Sequence, residues 1–154
     1  MFNIVLVHPQ IPQNTGSIGR ICVNTNSSLH LIKPMCFELD DKMIKRAGLD
    51  YWSILDLHIY DSLDEFLNLH IHNIDRFFFS TTKSKNPYFN AKFKKWDYLF
   101  FGGESTGLPM ELMQKKWQNA ITIPFGKNGR SLNQSVAVGI VLYDAIRQNF
   151  EEFE

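Results

Sequence analysis

Three stretches gather the residue types that could do chemistry. The first is Pro9-Gln10-Ile11-Pro12-Gln13-Asn14-Thr15-Gly16-Ser17-Ile18-Gly19-Arg20. Two prolines stiffen it, Asn14 stands where a helix wants a cap, and Arg20 lies six residues on, just under two turns into that helix. Taken alone, it also fits a capped helix that carries a surface arginine. The second is Phe101-Gly102-Gly103-Glu104-Ser105-Thr106-Gly107-Leu108-Pro109, whose glycines let the backbone approach a ligand closely. It is no Walker loop, because Leu108 follows Gly107 where that pattern needs a lysine, and GxGxxG is absent as well. A plain turn is its rival reading. The third is the polar run from Gly126 to Arg130 continuing through Ser131, Asn133 and Ser135 to the mouth of an apolar helix. One of these three residues suffices as a cap, so the surplus points to hydrogen bonds with a ligand, with a polar cap alone as the rival reading.

Elements that hold these loops alternate along the chain. Apolar or β-rich runs predict strands at 2–7, 29–32, 54–60, 74–80, 98–101 and 120–123. Helices are expected from Asn14 to about Thr25, from an Asp40 or Asp41 cap to Gly48, and from Ser62 to about Leu69, where Ser-Leu-Asp-Glu is a capping box. Two more follow: one over 110–117 with Pro109 in its first turn, and a last one over 133–150. This alternation predicts an α/β fold, one mostly parallel sheet with helices on both faces. In such sheets ligands bind beyond the carboxyl ends of the strands, where the three stretches fall.

Composition narrows the class. At 154 residues the chain is the size of one domain, 1–154. No apolar run approaches the roughly 20 residues a membrane span needs. The opening Met1-Phe2-Asn3-Ile4 lacks a basic leader region and reads as a strand, so a cytoplasmic location is expected. Cys22 and Cys36 form neither a disulfide framework nor a zinc site, and no metal is expected. The five histidines are scattered; His70 and His72 alone have a short spacing, and both read as surface residues. Formal net charge is zero, which is awkward for a nucleic-acid binder. Lysines do cluster, at 83, 85, 92, 94 and 95 and with Arg46 at 42 and 45, but such runs are commonly solvated faces.

The three loops, in this order and spacing, resemble the three motifs of the SPOUT class of RNA methyltransferases, and the resemblance covers the whole chain. Asn-Ile-Val-Leu (3–6), Ile-Pro-Gln-Asn-Thr-Gly (11–16), Arg-Ala-Gly-Leu-Asp-Tyr (46–51) and Gly-Leu-Pro (107–109) look like its small subgroup of tRNA (cytidine/uridine) 2′-O-methyltransferases acting on the wobble nucleotide. The resemblance implies a C-terminal deep trefoil knot, a homodimer packed through terminal helices, and S-adenosylmethionine as methyl donor with S-adenosylhomocysteine as product. It implies a cofactor pocket made of Ser80, Thr81, Gly102, Glu104, Ile123, Ser131, Leu132 and Asn133. Ser80 departs from the subgroup, where an apolar residue is common, yet backbone contacts tolerate that change. Arg20 and Asn14 take the catalytic positions, with Asn14 fixing Arg20 or the ribose. Arg130, Tyr143 and Ser135 are implied in RNA handling. A guanidinium stays protonated, so Arg20 is expected to bind phosphate and stabilise alkoxide charge and not to act as base.

Three rivals remain at this stage. A base methyltransferase of the same class differs in target atom, and the Asn14-to-Arg20 spacing belongs to the ribose branch. A binding module without catalysis is disfavoured by intact Arg20, Glu104 and Ser131. A flavodoxin-like protein needs a Ser/Thr/Gly-rich first loop, which the proline-rich 9–12 segment is not.

Overall fold

The structure is a computed structural model that describes residues 1–39, 42, 46 and 51–153. Of the expected basic helix between Asp40 and Gly48, only Lys42 and Arg46 are among the described residues, both helical. Six strands form one sheet: β1 (Asn3–Val7), β2 (Ser28–Ile32), β3 (Leu57–Tyr60), β4 (Phe77–Ser80), β5 (Tyr98–Gly102) and β6 (Ala120–Ile121). Their spatial order is β3-β2-β1-β5-β4-β6, and every pairing is parallel. Helices α1 (Pro12–Asn24), α2 (Leu63–His70), α3 (Met110–Gln114) and α4 (Gln134–Gln148) connect or follow them.

Two-residue alternation sorts the strand side chains onto two faces. Ile4, Leu6, Leu31, Phe78 and Phe101 pack with Ile18 and Cys22 of α1 and with Val138, Val141 and Leu142 of α4. Val5, Val7, Phe77, Phe79 and Phe100 pack with Phe66 of α2 and with Leu112 and Met113 of α3. Both faces are covered, which is why β1 reads as an unbroken apolar run. Burial pushes the Cys22 thiol up, and both cysteines are free. Gly139 lies over Ile21 of its own chain, where an added Cβ would meet Cδ1 at an ordinary 3.9 Å, so a glycine is not required there.

Several boundaries differ from expectation, each for a physical reason. α1 begins at Pro12, with Ile11 in the cap position and Asn14 buried inside the first turn. Proline pre-sets the helical φ, so Asn14 does not cap. Residues 52–54 and 71–76 form tight 3-10 turns before β3 and β4, which shortens both strands. Pro109 caps α3 and does not enter its first turn, and α3 ends at Gln114, with Trp117 in a separate turn. α4 ends at Gln148, two residues short. The capping box at Ser62 holds: its Oγ accepts from the Glu65 N–H at 3.1 Å, while the Glu65 carboxylate accepts from Asp61 N–H.

His70 is half-buried and not a free surface residue. It belongs to a chain of hydrogen bonds beneath α2. The Asn3 side-chain amide donates to the Trp96 carbonyl (2.8 Å), which leaves Asn3 Oδ1 to accept from His30 Nε2–H (3.0 Å). His30 Nδ1 accepts from the Tyr60 hydroxyl (2.9 Å), whose oxygen accepts from His70 Nε2–H (3.1 Å). His70 Nδ1 accepts from the Tyr98 hydroxyl (3.3 Å), and Asn73 donates to Tyr98 at 3.5 Å. Each step fixes the next, so this assignment makes both imidazoles neutral, with the proton on Nε2. Burial, together with the neighbouring His58 and His70, holds the His30 pKa down at about 3.

Candidate active site

Strand register brings the loops together. Val7 pairs with both Ile32 and Gly102, and Ser80 pairs with Ile121, so β1, β5, β4 and β6 end along one edge. There the first turn of α1, the residues after β4, the Gly102–Leu108 loop and residues 122–134 enclose a cavity of about 550 Å³. That is the size class of small-molecule and cofactor sites.

Ten of the thirteen candidate residues line this cavity: Asn14, Ser80, Thr81, Gly102, Glu104, Ile123, Arg130, Ser131, Leu132 and Asn133. Three do not. Arg20 is exposed on α1, with its guanidinium 4.8 Å from the Tyr51 ring centroid and Nη2 donating to the Tyr51 hydroxyl at 3.3 Å. Helical geometry accounts for this, since six residues carry Arg20 about 9 Å along the axis and well round the helix from Asn14. Tyr143 is half exposed on α4. Ser135 is spent on a cap, its Oγ donating to Asn133 Oδ1 at 2.6 Å.

Glu104 does its work on the protein itself. Its carboxylate accepts from the backbone N–H groups of Gln10 (3.0 Å) and Ile11 (3.1 Å), at the amino end of α1. A negative charge is stabilised there by the helix dipole. Gln10 Oε1 returns the tie, accepting from Ser105 N–H at 2.8 Å and from its hydroxyl at 2.9 Å. The first and second loops are thus clamped together. Within the second loop Gly107 has φ +67°, and a Cβ on Gly102 would stand 2.1 Å from the Gly107 carbonyl carbon. The loop folds back on itself there, and no side chain fits.

Asn133 joins the third loop to the first. Its Oδ1 caps α4 by accepting from Ser135 N–H (2.9 Å), and its Nδ2 donates to Asn14 Oδ1 (3.0 Å). Asn14 therefore binds Asn133 and not Arg20. Asn14 Nδ2 is left buried without a partner. Gln134, which sequence reasoning passed over, donates through Nε2 to the Gly102 carbonyl (2.6 Å), while its buried Oε1 has no partner. Both orphaned atoms belong to residues that line the cavity. A donor and an acceptor buried and unmet at a cavity wall suit a polar ligand that supplies the missing partners. The adenosine and amino-acid groups of S-adenosylmethionine offer both kinds. Among the described residues no group of three or more His, Cys, Asp or Glu could hold a metal ion, and no helix is long and apolar enough to cross a membrane.

Comparison with known proteins agrees with this geometry. Residues 1–143 match the model of the SpoU rRNA Methylase family. A tRNA (cytidine(34)-2′-O)-methyltransferase of Saccharophagus degradans is 42% identical over 149 residues, 96% of each chain. The protein of that name from Burkholderia cenocepacia is 39% identical over 149 residues, again 96% of each. A solved structure concerned with the 2-OH methylation of C/U34 on tRNA superposes with a TM-score of 0.92 at 39% identity, covering 99% of this chain and 98% of that one. With matches of this extent and a cavity built from the three expected loops, the chain belongs to the SpoU methylase family.

Proposed function

We propose that the protein transfers a methyl group from S-adenosylmethionine to the ribose 2′-hydroxyl of the wobble cytidine or uridine of a tRNA. The observation that carries this reading is the convergence of all three loops on one cavity whose buried Asn14 and Gln134 atoms lack partners. The names of relatives around 40% identical over nearly the whole chain support the acceptor. As a cofactor, S-adenosylmethionine supplies an electrophilic methyl group on a sulfonium and leaves as S-adenosylhomocysteine.

The chain's own residues then align, desolvate and neutralise. Gly102, Ile123 and Leu132 present backbone and apolar surface to the donor, with Ser80, Thr81, Ser131 and Asn133 around it. Asn14 Nδ2 is free to hold a ribose oxygen in line with the methyl carbon. Arg20, exposed on α1 outside the cavity wall, binds a phosphate of the RNA, and its guanidinium on that bound strand offsets charge on the 2′-oxygen as the hydroxyl proton passes to water. Tyr51 holds that guanidinium by ring and hydroxyl. Arg130 at the cavity rim, with Tyr143 and Ser135 on α4, contributes to RNA contact.

The reading includes a single domain over 1–154, a cytoplasmic location and a homodimer. Half-exposed Val136 on α4 supports a helix-packed dimer. The knot is part of the proposal too. β6 sits on the far side of β4 while α4 returns to α1, a path compatible with such threading.

The test is transfer from labelled S-adenosylmethionine to total tRNA from a strain lacking this protein, followed by nucleoside analysis. Label in 2′-O-methylcytidine or 2′-O-methyluridine is expected. Label on a base would make the acceptor wrong while leaving the donor intact.

A further inference from the structure

The crossover from β4 to β5 carries charge that the proposed reaction does not use. Residues 81–96 contain five lysines and no Asp or Glu, in a chain of zero net charge. None of Lys83, Lys85, Lys92, Lys94 and Lys95 pairs with a carboxylate among the described residues. Four of the five are exposed, and Lys95 is partly so.

The backbone holds this display rigidly. Ala91 and Phe93 point inward, Phe93 lying 4.9 Å from Phe78, so the alternation turns Lys92 and Lys94 outward. Gln148 donates to the Ala91 carbonyl (3.1 Å) and accepts from Phe93 N–H (3.0 Å), while Asn149 donates to the Phe93 carbonyl (3.0 Å). Buried Asp97 accepts from Lys94 N–H at 2.7 Å and is clasped by Arg76.

Two large aromatics stand out among the lysines. Phe89 is 52% exposed and Trp96 is 59% exposed. Trp96 has φ +74°, a strained conformation for a bulky residue, and its backbone is held there by Met1 and Asn3. Lys95 Nζ lies 5.5 Å from its ring centroid. The strip starts at the cavity, which Lys83 lines, and ends at the opposite edge of the sheet beside Met1. Four to five strand residues make that run about 15 Å.

We propose that this crossover is a second RNA-binding strip, which takes the nucleotides flanking the target: the lysines meet phosphates, and Phe89 and Trp96 stack on unpaired bases. Lysines interleaved with exposed aromatics are what sequence-tolerant binding of single-stranded RNA requires. The proposal rests on the tRNA reading above. It also resolves the zero net charge, because the attraction is local and preformed.

The experiment compares wild type with Lys85→Ala/Lys92→Ala/Lys94→Ala and with Trp96→Gly, none of which alters a cavity residue. Glycine tolerates the +74° conformation, and the three lysines are exposed and unpaired, so both variants should fold. Affinity for tRNA is measured across salt concentrations, alongside kcat and KM. Each phosphate contact contributes about 0.7–0.9 to the slope of log K against log salt, so the triple variant should lose about 2–3. Its KM should rise roughly tenfold with kcat unchanged. Trp96→Gly should raise KM roughly tenfold and leave the slope alone. A triple variant with wild-type slope and KM overturns the strip and leaves the methylation reading standing. Wild-type protein that neither binds nor methylates tRNA overturns both. An unchanged tRNA slope with lost binding to phosphatidylserine vesicles overturns it in favour of a membrane surface.

Discussion

Two regions that bury polar groups treat them in opposite ways. Beneath α2, the run from Asn73 through Tyr98, His70, Tyr60 and His30 to Asn3 satisfies every side-chain atom it enlists. At the mouth of the sheet, His8 Nδ1, Asn14 Nδ2, Thr15 Oγ1 and Gln134 Oε1 are buried with no partner, Asn14 and Gln134 in the cavity wall itself, and these are all the buried side-chain atoms so placed among the described residues. Each lies just past β1 or in the first turn of α1 or α4. An unmet buried polar atom costs about 1–3 kcal/mol. One region spends its polar groups on the protein's own stability, while the other holds them in reserve for a ligand.

That contrast can be broken by mutation. Asn14→Ala removes an unmet donor together with the acceptor of the Asn133 amide, so kcat/KM should fall by about 100-fold or more while stability drops by only about 1 kcal/mol. A parallel loss of stability and activity would make Asn14 an ordinary core residue. The opposite outcome is expected beneath α2. Tyr60→Phe strips both His30 and His70 of a partner and should cost about 2 kcal/mol in denaturant unfolding, with kcat unchanged. Acid sharpens the same point. His30 titrates at about 3 in the fold and near its ordinary value of 6.5 when unfolded. Between these limits the unfolded chain binds a proton that the native one refuses. Stability is complete above about pH 6.5 and falls by up to about 1.4 kcal/mol per pH unit towards pH 3. His30→Gln should flatten that slope. The smallest effect belongs to the clamp between loops. Glu104→Gln keeps one acceptor oxygen and loses the charge at α1, so stability should drop by about 1 kcal/mol and donor affinity several-fold by calorimetry.

Legibility in the sequence followed the range of the forces involved. Apolar runs gave the strands their places because burial on both faces leaves a local signature, and the Ser62 cap could be read because both of its partners lie within three residues. Asn14 misled because the start of α1 is set by Pro12 and by Glu104, whose carboxylate arrives from 94 residues away. Gln134 carried no signal, since its role depends on the Gly102 carbonyl, 32 residues distant. The histidines looked scattered because only the parallel register sets His30 beside His58 and beneath α2. Arg20 was placed on the right helix, but its distance from the cavity follows from the phase of that helix relative to the sheet, which no short motif contains.

The central position of β1 also sets a timetable for synthesis. Its first edge can pair with β2 once residue 32 has been made, but its other edge waits for β5, which begins 66 residues later at Tyr98. At about 5–20 residues per second, that leaves an apolar strand with an open edge for several seconds. The Asn14–Asn133 tie, spanning 119 residues, closes later still. A growing chain therefore cannot hold the methyl donor until its last helix emerges, and during that interval it depends on whatever shields nascent sheet edges from one another.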